Sequence, residues 1–182
     1  VGADLGGRLR AGRSRNDQVL TALRLWMREF AVVMAGRTTE LAKALTAFAK
    51  HHEWLPMPGR THMQLAMPSS VGLWAAAFAE ALLDQADLMR HLAGMLDQSP
   101  LGSAASYGTP LALDRALSAR QMGFAKVQNN VLYANNSRGL FEAMLLDGCD
   151  YITLSLSKLA QDLTVFTLPE LGYFTLPKEL CT

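Results

Sequence analysis

Cysteine is nearly missing from this 182-residue chain, which holds only Cys149 and Cys181. The two lie too far apart for a CxxC motif and are too few for a disulfide scaffold, so both read as structural residues of a protein kept in a reducing cytosol. Net charge is equally scarce. Seventeen Lys and Arg against sixteen Asp and Glu leave a formal charge of +1, so no polyanionic partner is called for by the whole chain and any basic site must be local. A long lipid-compatible run is lacking too. The longest stretch free of formal charge, Thr61 to Ala79, contains Gln64, Pro68, Ser69, Ser70 and Gly72. Hydrocarbon solvates such groups poorly, so no membrane partner is expected. No initiator Met and no signal peptide are visible, and the chain reads as a cytoplasmic piece of a longer protein. What is abundant is apolar residues. They make up 50% of the chain, against 18% charged, which excludes disorder as the general state and suits one domain with a sizeable core.

The apolar positions are spaced for helices. From Val19 to Phe48 they recur mostly at intervals of three and four with no proline, a pattern that predicts a helix about 45 Å long. A second helix is expected from Val71 to Leu96, a third from Asn136 to Phe166 and a short one at Leu113 to Met122. Few strand signals interrupt them, so the expected fold class is all-α, an elongated bundle of long helices. The second helix is apolar almost all round at Trp74, Ala75, Ala76, Ala77, Phe78 and Ala79, which predicts burial on several sides and self-association. The connections, "LPMPGRTHMQLAMPSS", "SPLGSAASYGTPLALDR" and "QNNVLYANN", exceed the about two to eight residues usual between bundle helices. Polar loops of that length at the ends of rigid helices are where function concentrates.

The stretch "AGRSRNDQV" packs polar groups against the start of the first long helix. Ser14 followed three residues later by Asp17 is a variant of the capping box, placing Arg15 and Asn16 in the first helical turn. Unpaired backbone N–H groups and the positive end of the helix dipole favour an anion there. Arg15 adds a planar fork suited to a carboxylate, and Asn16 a neutral donor. The same residues are also compatible with a plain cap and solvated arginines. Nucleic-acid binding through Arg8, Arg10, Arg13 and Arg15 has no interleaved aromatics and no second basic stripe behind it, so no nucleic-acid partner is expected.

"GRTHMQ" sets His62 between Thr61 and Gln64, in a loop stiffened by Pro56, Pro58 and Pro68. A titratable group near neutral pH in a stiff polar loop suits proton transfer, although a lone histidine also serves as a hydrogen-bonded structural group. "PLGSAASYG" offers either an ordinary turn or close backbone approach to a ligand, and "NNVLYANNSRG" either helix caps or further contacts. No metal-ligand spacing, phosphate loop or GxSxG elbow is present.

Several of these segments resemble one known family. "GRSRNDQV", "MPGRTHMQLAMPSS", "SPLGSAASYG" and "ELGYFTLPKELCT" are similar, in order and separation, to the argininosuccinate lyases of the fumarase and aspartase superfamily, and "VLYA" with "RG" after it adds to the likeness. The resemblance covers the whole chain. It implies a β-elimination that splits argininosuccinate into arginine and fumarate with no metal or organic cofactor. It also implies a homotetramer whose active sites are shared between subunits. By the same resemblance Ser14, Arg15 and Asn16 match carboxylate-binding positions, Thr61 and His62 the catalytic Thr-His pair, Gln64 the polar contact that follows it, and Arg138 a further substrate contact. Residues 1–182 would then be the central helical domain, with an N-terminal domain before it and a serine-bearing loop and C-terminal domain after Thr182. The chain departs from the family pattern at Arg10 and Ala11, where His-Thr is usual, and at Arg60, where an aromatic is usual. It also has "NSRG" in place of "SDRD". Those departures leave two alternatives: a sister lyase acting on another N-succinyl amine, and a non-catalytic, crystallin-like helical scaffold.

Overall fold

The computed structural model describes residues 2–8 and 11–180, so Arg10 and Cys181 lie outside the described residues. In chain order the elements are α1 (Ala3–Arg8), α2 (Arg15–His51), β1 (Pro56–Thr61), β2 (Gln64–Ser70), α3 (Val71–Leu96), β3 (Gln98–Ser99), α4 (Arg115–Gln121), β4 (Lys126–Val127), α5 (Val131–Asn136) and α6 (Leu140–Phe166), with a 3₁₀ turn at Lys178–Leu180. The framework is mostly helical. The chain forms two compact units, one from Val1–Met34 and Met89–Asp147, the other from Ala35–Leu88 and Gly148–Thr182. Each of the three long helices gives a segment to both.

The long helices carry their apolar residues in sevens. In α3 the buried residues Ala75, Leu82, Met89 and Leu96 are seven apart, and so are Ala79, Ala86 and Ala93. That is the a/d pattern of a coiled-coil seam, and alanine in one of the two rows allows close approach. In α2 the buried Ala35, Ala42 and Ala49 repeat in the same way. The helix is ended by a turn at His52–Trp54 ahead of Pro56, whose ring cannot continue it.

The first unit is built around polar loops. The residues after α3 form β3, which pairs in parallel with β4 at Gln98↔Lys126 and Ser99↔Val127. The loop between them carries α4, whose first turn is capped by the Asp114 side chain accepting from the Leu117 N–H. Arg28, on α2, is paired with Asp97 and donates to the Gly123 carbonyl at 2.6 Å.

Two expectations are corrected in this fold. The third helix does not begin at Asn136. A six-residue helix, α5, ends there, and α6 starts afresh at Leu140. Gly139 between them has φ +85°, outside the right-handed helical region, and the Glu142 carboxylate caps its N–H at 2.9 Å. The segment around "GRTHMQ" is likewise no irregular loop. It is an antiparallel hairpin of β1 and β2 in the second unit, with Met57 paired to Ser69 and Thr61 to Gln64. Prolines 56, 58 and 68 hide its strand character, since proline gives no ladder donor and is tolerated only where a strand has a free edge. A bulge between Pro58 and Arg60 accommodates Gly59, where a Cβ would lie 2.9 Å from the Met67 carbonyl oxygen.

Beyond α6 the chain folds back within the second unit. Tyr173 and Phe174 donate their backbone N–H groups to the Phe166 carbonyl, and their rings join Phe166 and Trp74 in an aromatic cluster. Trp74 Nε1 donates to Asp162 at 2.8 Å, tying the start of α3 to the last turns of α6.

Candidate functional site

The capped start of α2 forms as expected. The Ser14 N–H donates to Asp17 Oδ1 at 2.9 Å, and Ser14 Oγ accepts from the Asn16 N–H at 3.2 Å. Accepting that bond leaves the Ser14 hydroxyl proton free to donate elsewhere. Arg15 and Asn16 stand exposed in the first turn.

Asp17 does more than cap. Its side chain is fully buried, and Oδ2 accepts from the N–H groups of Gly102 at 3.0 Å and Ala104 at 2.9 Å. One carboxylate thus fastens the "PLGSAASYG" loop to the helix start. The loop needs fastening, because Ala104 at φ +52° and Ser106 at φ +92° sit in left-handed conformations that cost non-glycine residues of order 1–3 kcal/mol each. Asn135 of α5 adds a bond to the buried Ser103 hydroxyl at 3.0 Å. From the other side Arg115 spreads its guanidinium over the carbonyls of Leu101, Gln128 and Asn129. Burial lowers the pKa of that guanidinium, and the field of Asp17 opposes the shift.

A second buried arrangement lies beneath the break between α5 and α6. Arg24, 1% exposed, lies over the Phe141 ring at 3.8 Å and donates weakly to Gln128 Oε1 at 3.4 Å. Gln128 in turn donates to the Ser137 hydroxyl at 3.1 Å, which bonds the Ala134 carbonyl. Burial again lowers the guanidinium pKa, with Glu142 first and then Tyr133 opposing it. This relay holds Ser137, and the next residue is Arg138.

Arg15, Asn16 and Arg138 meet around one recess of about 440 Å³, completed by Val19, Leu20, Leu23 and Glu142. Two exposed guanidinium groups and an amide facing one space at a helix N-terminus can bind a dicarboxylate. Another recess among the described residues of this unit is lined by Leu25, Leu101, Leu113 and Met122 among others and is far more apolar. Among the described residues no group of three or more His, Cys, Asp or Glu is placed to hold a metal ion.

The remaining expected residues sit in the second unit, at the tip of the β1–β2 hairpin. Thr61 and Gln64 are cross-strand partners, joined by a two-residue turn made of His62 and Met63. Directly opposed residues present their side chains on the same face, so Thr61 and Gln64 flank the turn together. Both turn residues have positive φ, +52° and +64°, the backbone that two-residue hairpins need and that Asn-Gly adopts most readily. Thr61, His62 and Gln64 are all exposed.

Arg24, Arg115 and Gln128 were not singled out by the sequence pattern, and Asp17 was singled out as a local cap alone. Their partners lie up to 104 residues away, and only the Ser14–Asp17 spacing gave a local signal.

Residues 2–179 match the model of a family described as "Lyase". The chain is 42% identical over 179 residues to the argininosuccinate lyase of Thermotoga neapolitana, covering 98% of this chain and 45% of that protein. It is 43% identical over 179 residues to the argininosuccinate lyase of Sorangium cellulosum, again over 98% of this chain and 42% of the relative. The chain therefore spans less than half the length of these curated relatives. Among solved structures it superposes on EDDS lyase in complex with formate with a TM-score of 0.87 at 25% identity, covering 91% of this chain and 33% of that one.

Proposed function

Because the chain belongs to this lyase family through residues 2–179, we propose that the whole protein cleaves argininosuccinate to arginine and fumarate by β-elimination. The observation that carries the reading is the convergence of Arg15, Asn16 and Arg138 on one recess beside the capped start of α2. The reaction demands such a place. A base removes a proton from the carbon beside a succinyl carboxylate, and the electron pair spreads onto that carboxylate. The C–N bond then breaks, and the departing guanidinium nitrogen takes up a proton. Charge accumulates on the carboxylate before the bond breaks, so fixed donors aimed at it lower the barrier. In this reading Ser14, Arg15, Asn16 and Arg138 bind the carboxylates. Thr61 and Gln64 position the substrate, and His62 takes part in proton transfer. The whole protein is a cytoplasmic homotetramer whose sites draw residues from several subunits, a reading supported by the apolar side chains the single chain leaves exposed.

The test is fumarate release by the whole protein, offered argininosuccinate and adenylosuccinate in parallel. Release from argininosuccinate alone is expected. His62→Asn should lower kcat by about 10² to 10⁴, the usual worth of a positioned acid-base group. Arg15→Lys, which keeps the charge but loses the fork, should cost about 10² to 10³. Failure to release fumarate from argininosuccinate would overturn the reading, and turnover unchanged in His62→Asn would remove that residue from the chemistry.

A further inference from the structure

The hairpin tip is held in an unfavourable backbone by very little of its own making. His62 and Met63 both adopt positive φ without being glycine or asparagine, the outer hairpin is exposed, and its three prolines remove ladder donors. One side chain reaches across the turn. Arg60 donates from Nη1 to the Met63 carbonyl at 2.8 Å and from Nε to the Tyr173 hydroxyl oxygen at 3.0 Å, with its guanidinium 5.7 Å from the centre of the Tyr173 ring. Tyr173 is itself anchored. Its ring lies 5.3 Å from that of Phe166, its N–H donates to the Phe166 carbonyl at 2.9 Å, and Phe166 packs on Trp74.

We infer that Arg60 and Tyr173 form a latch that positions the His62 turn, tying it through the aromatic cluster to the end of α6. A lysine in the place of Arg60 could not supply two donors in a rigid fork to these two acceptors at once. Arg60 and Tyr173 are therefore positioning residues that act through His62. The role of the turn rests on the reading of His62 given above; the latch itself does not.

Hydrogen exchange and steady-state kinetics, both of the whole protein, test the two separately. Tyr173→Phe keeps the ring and deletes the acceptor, while Arg60→Lys keeps the charge and deletes the fork. Each should speed exchange of the Gln64 amide, which lies opposite Thr61, by about tenfold, the scale of one charge-assisted hydrogen bond, with amides inside α3 and α6 unchanged. The double variant should exchange no faster than either single one, because one bond is useless without the other. In the whole protein both variants should lower kcat for fumarate release and leave KM unaltered. Unchanged exchange, or rate increases that multiply in the double variant, would overturn the latch. Faster exchange with unaltered kcat would uphold the latch and overturn the catalytic reading of His62.

Discussion

At the scale of single residues the first unit depends on Asp17. Its carboxylate accepts from three backbone N–H groups, those of Ser14, Gly102 and Ala104, while fully buried. Asparagine has nearly the same shape but offers one acceptor oxygen and turns an amide donor toward a facing N–H. Asp17→Asn is therefore expected to lower the unfolding free energy of this chain in urea by about 2–3 kcal/mol, the cost of a lost charge-assisted bond and an unpaired buried donor. A loss under about 0.5 kcal/mol would show that the loop holds its left-handed residues unaided. The residues proposed to act on the substrate differ in kind from Asp17. Arg15, Asn16, Thr61, His62, Gln64 and Arg138 are exposed, and apart from the cap contacts around Ser14 they bear little structural duty. Substituting them should change turnover more than stability.

At the scale of elements the glycines separate two ways of ending a helix. Gly72, at the start of α3, lies against the end of α2, where a Cβ would come within 2.6 Å of Glu53 Cα and 2.7 Å of the Ala49 carbonyl oxygen. Both neighbours are backbone and cannot yield cheaply. Gly139, between α5 and α6, has open space around it and is required only for its φ of +85°. Gly72→Ala should cost about 1–3 kcal/mol in thermal or urea unfolding, as overpacking does, and Gly139→Ala about 1 kcal/mol. Equal costs would contradict this distinction. The elements also show what a sequence can disclose. The α3 bounds, Val71 to Leu96, are those expected from its apolar spacing, and α2 extends the expected Val19–Phe48 by only a few residues at each end. The cap at Ser14 was legible because its partners are three residues apart or fewer. The hairpin was not, because proline suppresses the usual alternation and its His62–Met63 turn lacks the Asn-Gly signal. Nor was the break before α6, since a glycine in an otherwise helical pattern does not announce its sign of φ. No spacing rule connects Arg15 with Arg138, 123 positions apart in number, and only the family resemblance assigned both to one substrate.

At the scale of the whole molecule, large apolar side chains stand exposed along the long helices. Trp26 is 57% exposed, Leu73 67%, Leu146 65% and Leu154 56%, all on long helices. Side chains of this size on otherwise seamed helices fit burial against further copies. Leu154→Glu should shift the whole protein toward smaller species in sedimentation velocity while leaving its circular dichroism unchanged, since Leu154 belongs to no buried seam. A burial worth about 1.5–3 kcal/mol per copy corresponds to roughly a tenfold to hundredfold weaker association. An unaltered sedimentation profile would take Leu154 out of any subunit contact. The division of the chain has a different kind of consequence. The first unit is made of Val1–Met34 and Met89–Asp147, and the second of Ala35–Leu88 and Gly148–Thr182. On the ribosome, the opening of each unit emerges well before its closing half, and the second waits for the last segment of this chain. Neither can be excised as one uninterrupted stretch, so the nascent chain carries two unfinished cores at once, a period of exposure that chaperones would be expected to cover.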